Sequence, residues 1–421
     1  MKTLEQKLHS KRIKKPNWII YNFLGRLWQF TVARKYKLKT TFIDDPKKEK
    51  GSYILLSNHA SRMDYIFTAI PLLPHTFNFV VGYNEFFRSH LHGIFSLMHE
   101  IPKKNFTPDL YAIMEMKRVI NNGGRLTLFP EGMSSISGGS QPVALGTAKL
   151  LKFLKVPVYL SNIKGAYLVS PKFNLKERKG PVEVSFKKLF TVADLQNLSE
   201  EEITKILNTE IRTDDYAYNL EKKNIYKSDC IAENIEQLLY KCPKCGHEFE
   251  NISGSDFIEC SHCHNKVLID NTYKLVPIKE SKTFKTPKEW FDYQRQCVKE
   301  EIKDQNFELK EEVDICFLPK YEYLKHQKTS QVEGKGILRI NHEGIFFDGT
   351  RNGKPFSFTL SLKETPTYGM CTDASRFYTF LKGEFIEFYP KRKSVIKWLL
   401  VTEELHRLHG GLWKDYDFYA K

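Results

Sequence analysis

The 421-residue chain has no uninterrupted apolar run of the roughly 20 residues needed to cross a bilayer. Nor does any small-residue cleavage site follow an apolar stretch near the start, so no secretory signal is written there. No segment recurs at a fixed period. Cysteine is scarce, with 8 residues, of which Cys230, Cys297, Cys316 and Cys371 lie scattered. A disulfide framework would need an oxidising compartment for which there is no signal. Acidic charge is sparse at one end: residues 1–50 hold 14 Lys or Arg against 4 Asp or Glu, most of the formal net charge of +15. A hydrophobic content of 41% with 13% aromatics supports a sizeable core and excludes wholesale disorder, and the length suits two or three domains.

Within the basic block, residues 18–30 are apolar apart from a narrow stripe of Asn22, Arg26 and Gln29 at helical spacing, with Trp18 and Trp28 near the two ends. Arg26 interrupts the run, which is short of a span. Residues 1–40 therefore read as a basic amphipathic segment lying in the interface of an anionic membrane surface. That places the protein as peripheral, on the cytoplasmic, inner face of a membrane.

From about residue 50, short apolar strands alternate with helices. The pattern predicts strands at 53–56, 77–81, 125–129, 156–160 and 182–186, and a helix over 109–120 stopped by Asn121-Asn122-Gly123-Gly124. This is an α/β domain with a mainly parallel sheet, over residues 41–235. Two motifs follow its strand ends, where open α/β sheets place their sites. After the first comes Asn58-His59-Ala60-Ser61-Arg62-Met63-Asp64, and after 125–129 comes Phe129-Pro130-Glu131-Gly132. A histidine five positions before an aspartate supplies a general base and the carboxylate that fixes its tautomer. No enzyme nucleophile is needed if the attacking hydroxyl belongs to the substrate.

These residues resemble the glycerolipid acyltransferases, the group that includes 1-acylglycerol-3-phosphate acyltransferase. His59 and Asp64 match the H-x4-D motif, and Phe129-Pro130-Glu131-Gly132 matches the second signature. Ile101-Pro102-Lys103-Lys104 falls at the intermediate motif and Val156-Pro157-Val158 at the last. The resemblance covers roughly the first half of the chain. It implies transfer of an acyl group from a thioester, acyl-CoA or acyl carrier protein, to the hydroxyl of a lysophospholipid. His59 would be the base, Asp64 its orienting group, and Phe129, Pro130, Glu131 and Gly132 part of the acceptor site. One departure stands out: the family's phosphate-accepting members continue with Thr-Arg, whereas Met133-Ser134 stand here. Lys103, Lys104 and Arg62 are the substitute cations, without a bidentate fork in the lysines.

A second unit, residues 236–275, carries Cys242-Pro243-Lys244-Cys245 and Cys260-Ser261-His262-Cys263. Paired CxxC knuckles at this separation predict a zinc ribbon with one structural Zn²⁺ on four thiolates, and His247, His262 and His264 as bystanders. Glu248, Glu250, Asp256 and Glu259 lie in the same stretch, which argues against nucleic acid as its partner. The rival reading is a catalytically inactive scaffold that binds membrane or nucleic acid through the ribbon and the basic terminus.

The third unit, residues 276–421, opens with a helix capped by Thr286 and Glu289. Strands are predicted at 307–309, 336–340, 344–347, 356–362, 376–381 and 384–389, then an amphipathic helix over 394–408. Strands closed by one helix look like a pleckstrin-homology or GRAM-type domain.

Overall fold

The computed structural model describes residues 2–325 and 328–420. Seven strands form the first sheet: β1 (Lys39–Phe42), β2 (Ile54–Ser57), β3 (Asn78–Gly82), β4 (Ile101–Lys103), β5 (Leu126–Leu128), β6 (Val158–Lys164) and β7 (Glu183–Phe190). Their order is β1-β7-β6-β2-β5-β3-β4, parallel throughout except for the β6–β7 pair. Strand β2 is central and wholly buried. Its alternate side chains serve two cores, Leu55 with the preceding Tyr53 on one face and Ile54 and Leu56 on the other, as the two-residue strand period requires. The helix Leu110–Asn121 forms as its pattern predicts, with Asp109 Oδ1 capping the Ala112 amide at 3.1 Å. Strand β1 escaped the sequence pattern because its residues are mostly exposed at a sheet edge and carry no apolar alternation.

The helix Trp18–Tyr36 lies against this domain and its polar stripe is divided, with Arg26 and Gln29 exposed and Asn22 turned inward. Asn22 is buried, and its Nδ2 donates to Trp18 O (2.9 Å) and Pro74 O (3.1 Å). Tyr21, Val32 and Tyr36 are buried with it, while Trp18, Ile19, Phe23, Leu27, Trp28 and Phe30 are exposed. No helix among the described residues is long and apolar enough to cross a membrane.

Strands β8 (Asn251–Ser253), β9 (Phe257–Cys260), β10 (Lys266–Ile269) and β11 (Leu275–Pro277) form a small antiparallel sheet behind the cysteine knuckles. The last sheet holds β12 (Glu308–Phe317), β13 (Gln331–Asn341), β14 (Gly344–Arg351), β15 (Lys354–Leu360), β16 (Gly369–Met370), β17 (Phe377–Leu381) and β18 (Glu384–Pro390). It is antiparallel in the order β15-β14-β13-β12-β18-β17-β16, so β12 joins the two halves. Two-residue β16 is too short to show as a pattern in sequence. The closing helix, Val395–Leu408, is buried all round through His406 rather than on one side. Its charged face is covered by the helix Pro287–Glu301, where Arg295 meets Glu403 at 2.6 Å and Glu404 at 2.8 Å. Arg407 also meets Glu404, at 3.0 Å, so two cations answer the two buried carboxylates.

The sheets share one continuous apolar cluster that includes Phe67, Tyr167, Val267, Trp290, Val313 and Trp398. Polar contacts follow it: Tyr273 Oη donates to Leu168 O (2.7 Å), Trp290 Nε1 to Lys241 O (2.8 Å), and Lys104 Nζ to Gly383 O (2.8 Å).

Candidate active site and metal centre

Strands β2, β5 and β6 run side by side and parallel, so the loops leaving their C-terminal ends converge. Asn58 fastens the first loop to β6: Nδ2 donates to Ile163 O (2.9 Å) and Oδ1 accepts from Ile163 N (2.7 Å). The next residue is His59, whose Nδ1 lies 2.9 Å from Asp64 Oδ2. A carboxylate oxygen only accepts, so Nδ1 carries the proton and Nε2 is the basic nitrogen. Asp64, fully buried, also accepts from Ser61 N (2.8 Å) and Ser61 Oγ (2.7 Å). The imidazole is further held by the Phe129 ring, stacked at 4.4 Å and 26°. Among the described residues, Nε2 has no hydrogen-bond partner.

Glu131 sits beneath this loop rather than open to it. Its Oε1 accepts from His59 N (2.7 Å) and its Oε2 from Gln141 N (2.6 Å). Burial pushes its carboxyl up to about 7, against the pull of those two amides. Ser135 N donates to His59 O (2.6 Å), completing a brace between the two motifs. Pro130 is buried and its carbonyl accepts from Ala144 N (2.7 Å). Gly132 takes φ +78°, and a Cβ there would come within 2.9 Å of the Phe106 ring, so the turn requires glycine. Its own amide donates to Phe129 O (3.0 Å) and is not a free oxyanion donor.

The cations separate. Lys103 Nζ donates to Lys104 O and to Thr107 O (2.8 Å), and burial lowers its pKa. Lys104 Nζ is spent on Gly383 O and on Glu5 Oε1 (3.2 Å). Arg62 is half-buried near the histidine loop, with Nη2 on Leu175 O and Glu177 at 4.0 Å. A small pocket beside that loop is lined by Ser61, Arg62, Ser134, Ser170, Lys172 and Thr372, among others. Lys172 and Ser170 carry no signal in sequence, since nothing in Ser170-Pro171-Lys172 has a motif's spacing. Ser61 had a local signal, a hydroxyl three residues before an aspartate that heads a helix.

The four cysteines meet. Cys242 Sγ lies 3.7 Å from Cys263 Sγ and Cys245 Sγ 3.8 Å from Cys260 Sγ, and all four sulfurs fall within 4.8 Å of one another. Disulfides need about 2.05 Å, whereas four Zn–S bonds of about 2.3 Å in a tetrahedron set the sulfurs about 3.8 Å apart. The donor set fits tetrahedral zinc. Each knuckle turns alike: Gly246 N donates to Cys242 O (3.0 Å) and His264 N to Cys260 O (2.9 Å), with positive φ at both donors. His247 and His262 stack at 3.5 Å beside Cys245, outside the four-sulfur set.

Residues 36–163, which hold the open, mostly parallel sheet up to β6 and the histidine loop, match the family model Acyltransferase. That span includes His59, Asp64 and residues 129–132; the cysteine knuckles and the last sheet lie outside it. Among solved structures, the chain is similar to the 1-acyl-sn-glycerophosphate (LPA) acyltransferase PlsC from Thermotoga maritima. Identity is 18% and the TM-score 0.39, over 50% of this chain and 81% of that one. No curated protein matches the chain.

Proposed function

We propose that the protein is an O-acyltransferase that moves a fatty acyl group from a thioester, acyl-CoA or acyl carrier protein, to the free hydroxyl of a lysophospholipid. The observation that carries this is His59 held by Asp64 through Nδ1, with Nε2 unpartnered, inside the matched acyltransferase span. Nε2 takes the acceptor's hydroxyl proton as the oxygen attacks the thioester carbon. The C–O bond forms, the C–S bond breaks, and the imidazolium returns its proton to the leaving thiolate. Asp64 stabilises the imidazolium and holds the ring. Glu131 is a positioning residue in this scheme, since both its oxygens are engaged by backbone amides.

Cys242, Cys245, Cys260 and Cys263 would hold one structural zinc, which closes the ribbon and takes no part in the transfer. The seven antiparallel strands and closing helix support a pleckstrin-homology or GRAM-like reading of the last unit. The exposed aromatic and aliphatic face of Trp18–Tyr36, within a basic segment, supports peripheral attachment to an anionic membrane surface.

Acyl transfer from labelled acyl-CoA to a panel of lysolipids tests the reading. The protein should acylate at least one lysophospholipid, and His59→Ala should abolish that transfer with an unchanged melting temperature. An active His59→Ala protein would remove the histidine from the mechanism.

A further inference from the structure

The pocket beside His59 is short of hydrogen-bond acceptors. Lys172 is buried, and its ammonium donates to only two groups, Ser134 Oγ (3.1 Å) and Met370 O (3.2 Å). Both are neutral, and no carboxylate among the described residues forms an ion pair with it. An ammonium has three protons, so one is left over. Ser134, having accepted from Lys172, keeps its own proton free. Ser170, 3% exposed, lines the same pocket, and its buried Oγ has no partner at all. Arg62 forms the pocket wall as a second cation. Leaving buried donors and a buried charge unmatched costs free energy, and here they converge on one space.

We propose that Lys172, Ser170 and Ser134, with Arg62, bind the phosphomonoester of the acceptor, and that the Met370–Thr372 segment of the C-terminal sheet completes this site. The inference rests on the acyl-transfer reading above. It answers the absence of an arginine after Gly132: Ser134 stands at that place, and the cation reaches it from the loop after β6. The cavity is small, with about 10 Å³ open to the centre of a water-sized molecule, so it has room for a headgroup oxygen and none for an acyl chain. Position favours the acceptor over coenzyme A. Ser61 and Arg62 lie two and three residues past His59. In a 1-acylglycerol 3-phosphate the reacting hydroxyl and the phosphate sit on neighbouring carbons. The phosphates of coenzyme A stand a whole pantetheine arm away from its thioester. The last unit also contributes directly, by the Met370 carbonyl on Lys172 and by Thr372 at the wall.

Calorimetric binding of glycerol 3-phosphate, inorganic phosphate and coenzyme A to the full chain, with Lys172→Met and Ser170→Ala, tests this. Glycerol 3-phosphate should bind the wild type, about 10–100-fold more weakly to Lys172→Met and about 2–10-fold more weakly to Ser170→Ala. Ser170→Ala loses no protein hydrogen bond, so it should keep the wild-type melting temperature even if Lys172→Met folds poorly. In turnover, KM for a phosphomonoester lysolipid should rise in both variants with kcat nearly constant. Undiminished glycerol 3-phosphate affinity in both variants would overturn the proposal, as would binding of coenzyme A alone at Lys172. Inorganic phosphate bound as tightly as glycerol 3-phosphate would overturn the lipid headgroup as the source. If affinity falls as expected but no acyl transfer occurs, the subsite stands and the reaction assignment fails. If His59-dependent transfer proceeds with KM unchanged in both variants, the reverse holds.

Discussion

Asp64 accepts three hydrogen bonds, one from His59 and two from Ser61, so it orients the histidine and folds its own loop at once. Asp64→Asn keeps the shape but offers an amide where a carboxylate oxygen met Nδ1–H. Activity should fall by about 10³–10⁴-fold with the fold retained, by analogy with other histidine-orienting carboxylates. Steady-state kinetics beside circular dichroism check it; near-normal turnover would sink the assignment. Glu131 yields a pH prediction. Burial raises its carboxyl to about 7 in the native state, whereas an unfolded glutamate titrates near 4.3. The native state therefore holds the proton between those values and the unfolded chain does not. The stability this contributes is present in full below the unfolded pKa and is lost as pH rises through about 7. Glu131→Gln lacks that titration. The melting-temperature advantage of wild type over Glu131→Gln should shrink between pH 4.5 and 7.5. A constant or widening gap would show that Glu131 is ionised throughout.

At the scale of elements, two short pieces are held by atoms distant in sequence. The cysteine knuckles close only when residues 242–245 and 260–263 share one centre. Metal analysis should find one zinc per chain, and a chelator, or serine at Cys242 and Cys260, should lower the melting temperature, because structural zinc contributes folding free energy directly. Metal-free purified protein with four freely titrating thiols would refute this. The closing helix Val395–Leu408 illustrates the other side. Its apolar residues repeat as in an amphipathic helix, yet the Arg295 pairs with Glu403 and Glu404 bury the charged face as well. Periodicity reports which residues are apolar, not whether a second helix covers the rest.

Across the whole molecule, the exposed face of Trp18–Tyr36 is the feature that asks for a surface. Deleting the segment is a poor test, since Ile13, Tyr21, Val32 and Tyr36 pack into the cores. Phe23, Leu27 and Phe30 are 69%, 58% and 62% exposed, so replacing all three with serine should leave folding intact. Binding to vesicles rich in anionic lipid should fall sharply, and the residual binding should weaken with salt, which screens the basic flanks. Equal co-sedimentation of the variant and wild type would move the attachment surface elsewhere, with the C-terminal sheet the first suspect.

The sequence by itself determined the strands that lead into both motifs, the pairing of His59 with Asp64, and the four-cysteine set. Each of these is local: a strand pattern, a five-residue spacing, a CxxC. Only the tertiary structure decided which face of Trp18–Tyr36 is free, because Asn22 is polar yet finds Pro74 O in the fold. It alone turned Glu131 inward to the amides of His59 and Gln141, and spent Lys104 on Gly383. And it alone brought Lys172 to Ser134 and Met370, which lie 38 and 198 residues from it along the chain. Side-chain chemistry is written residue by residue, but whether a donor ends with a partner depends on which distant loop arrives beside it.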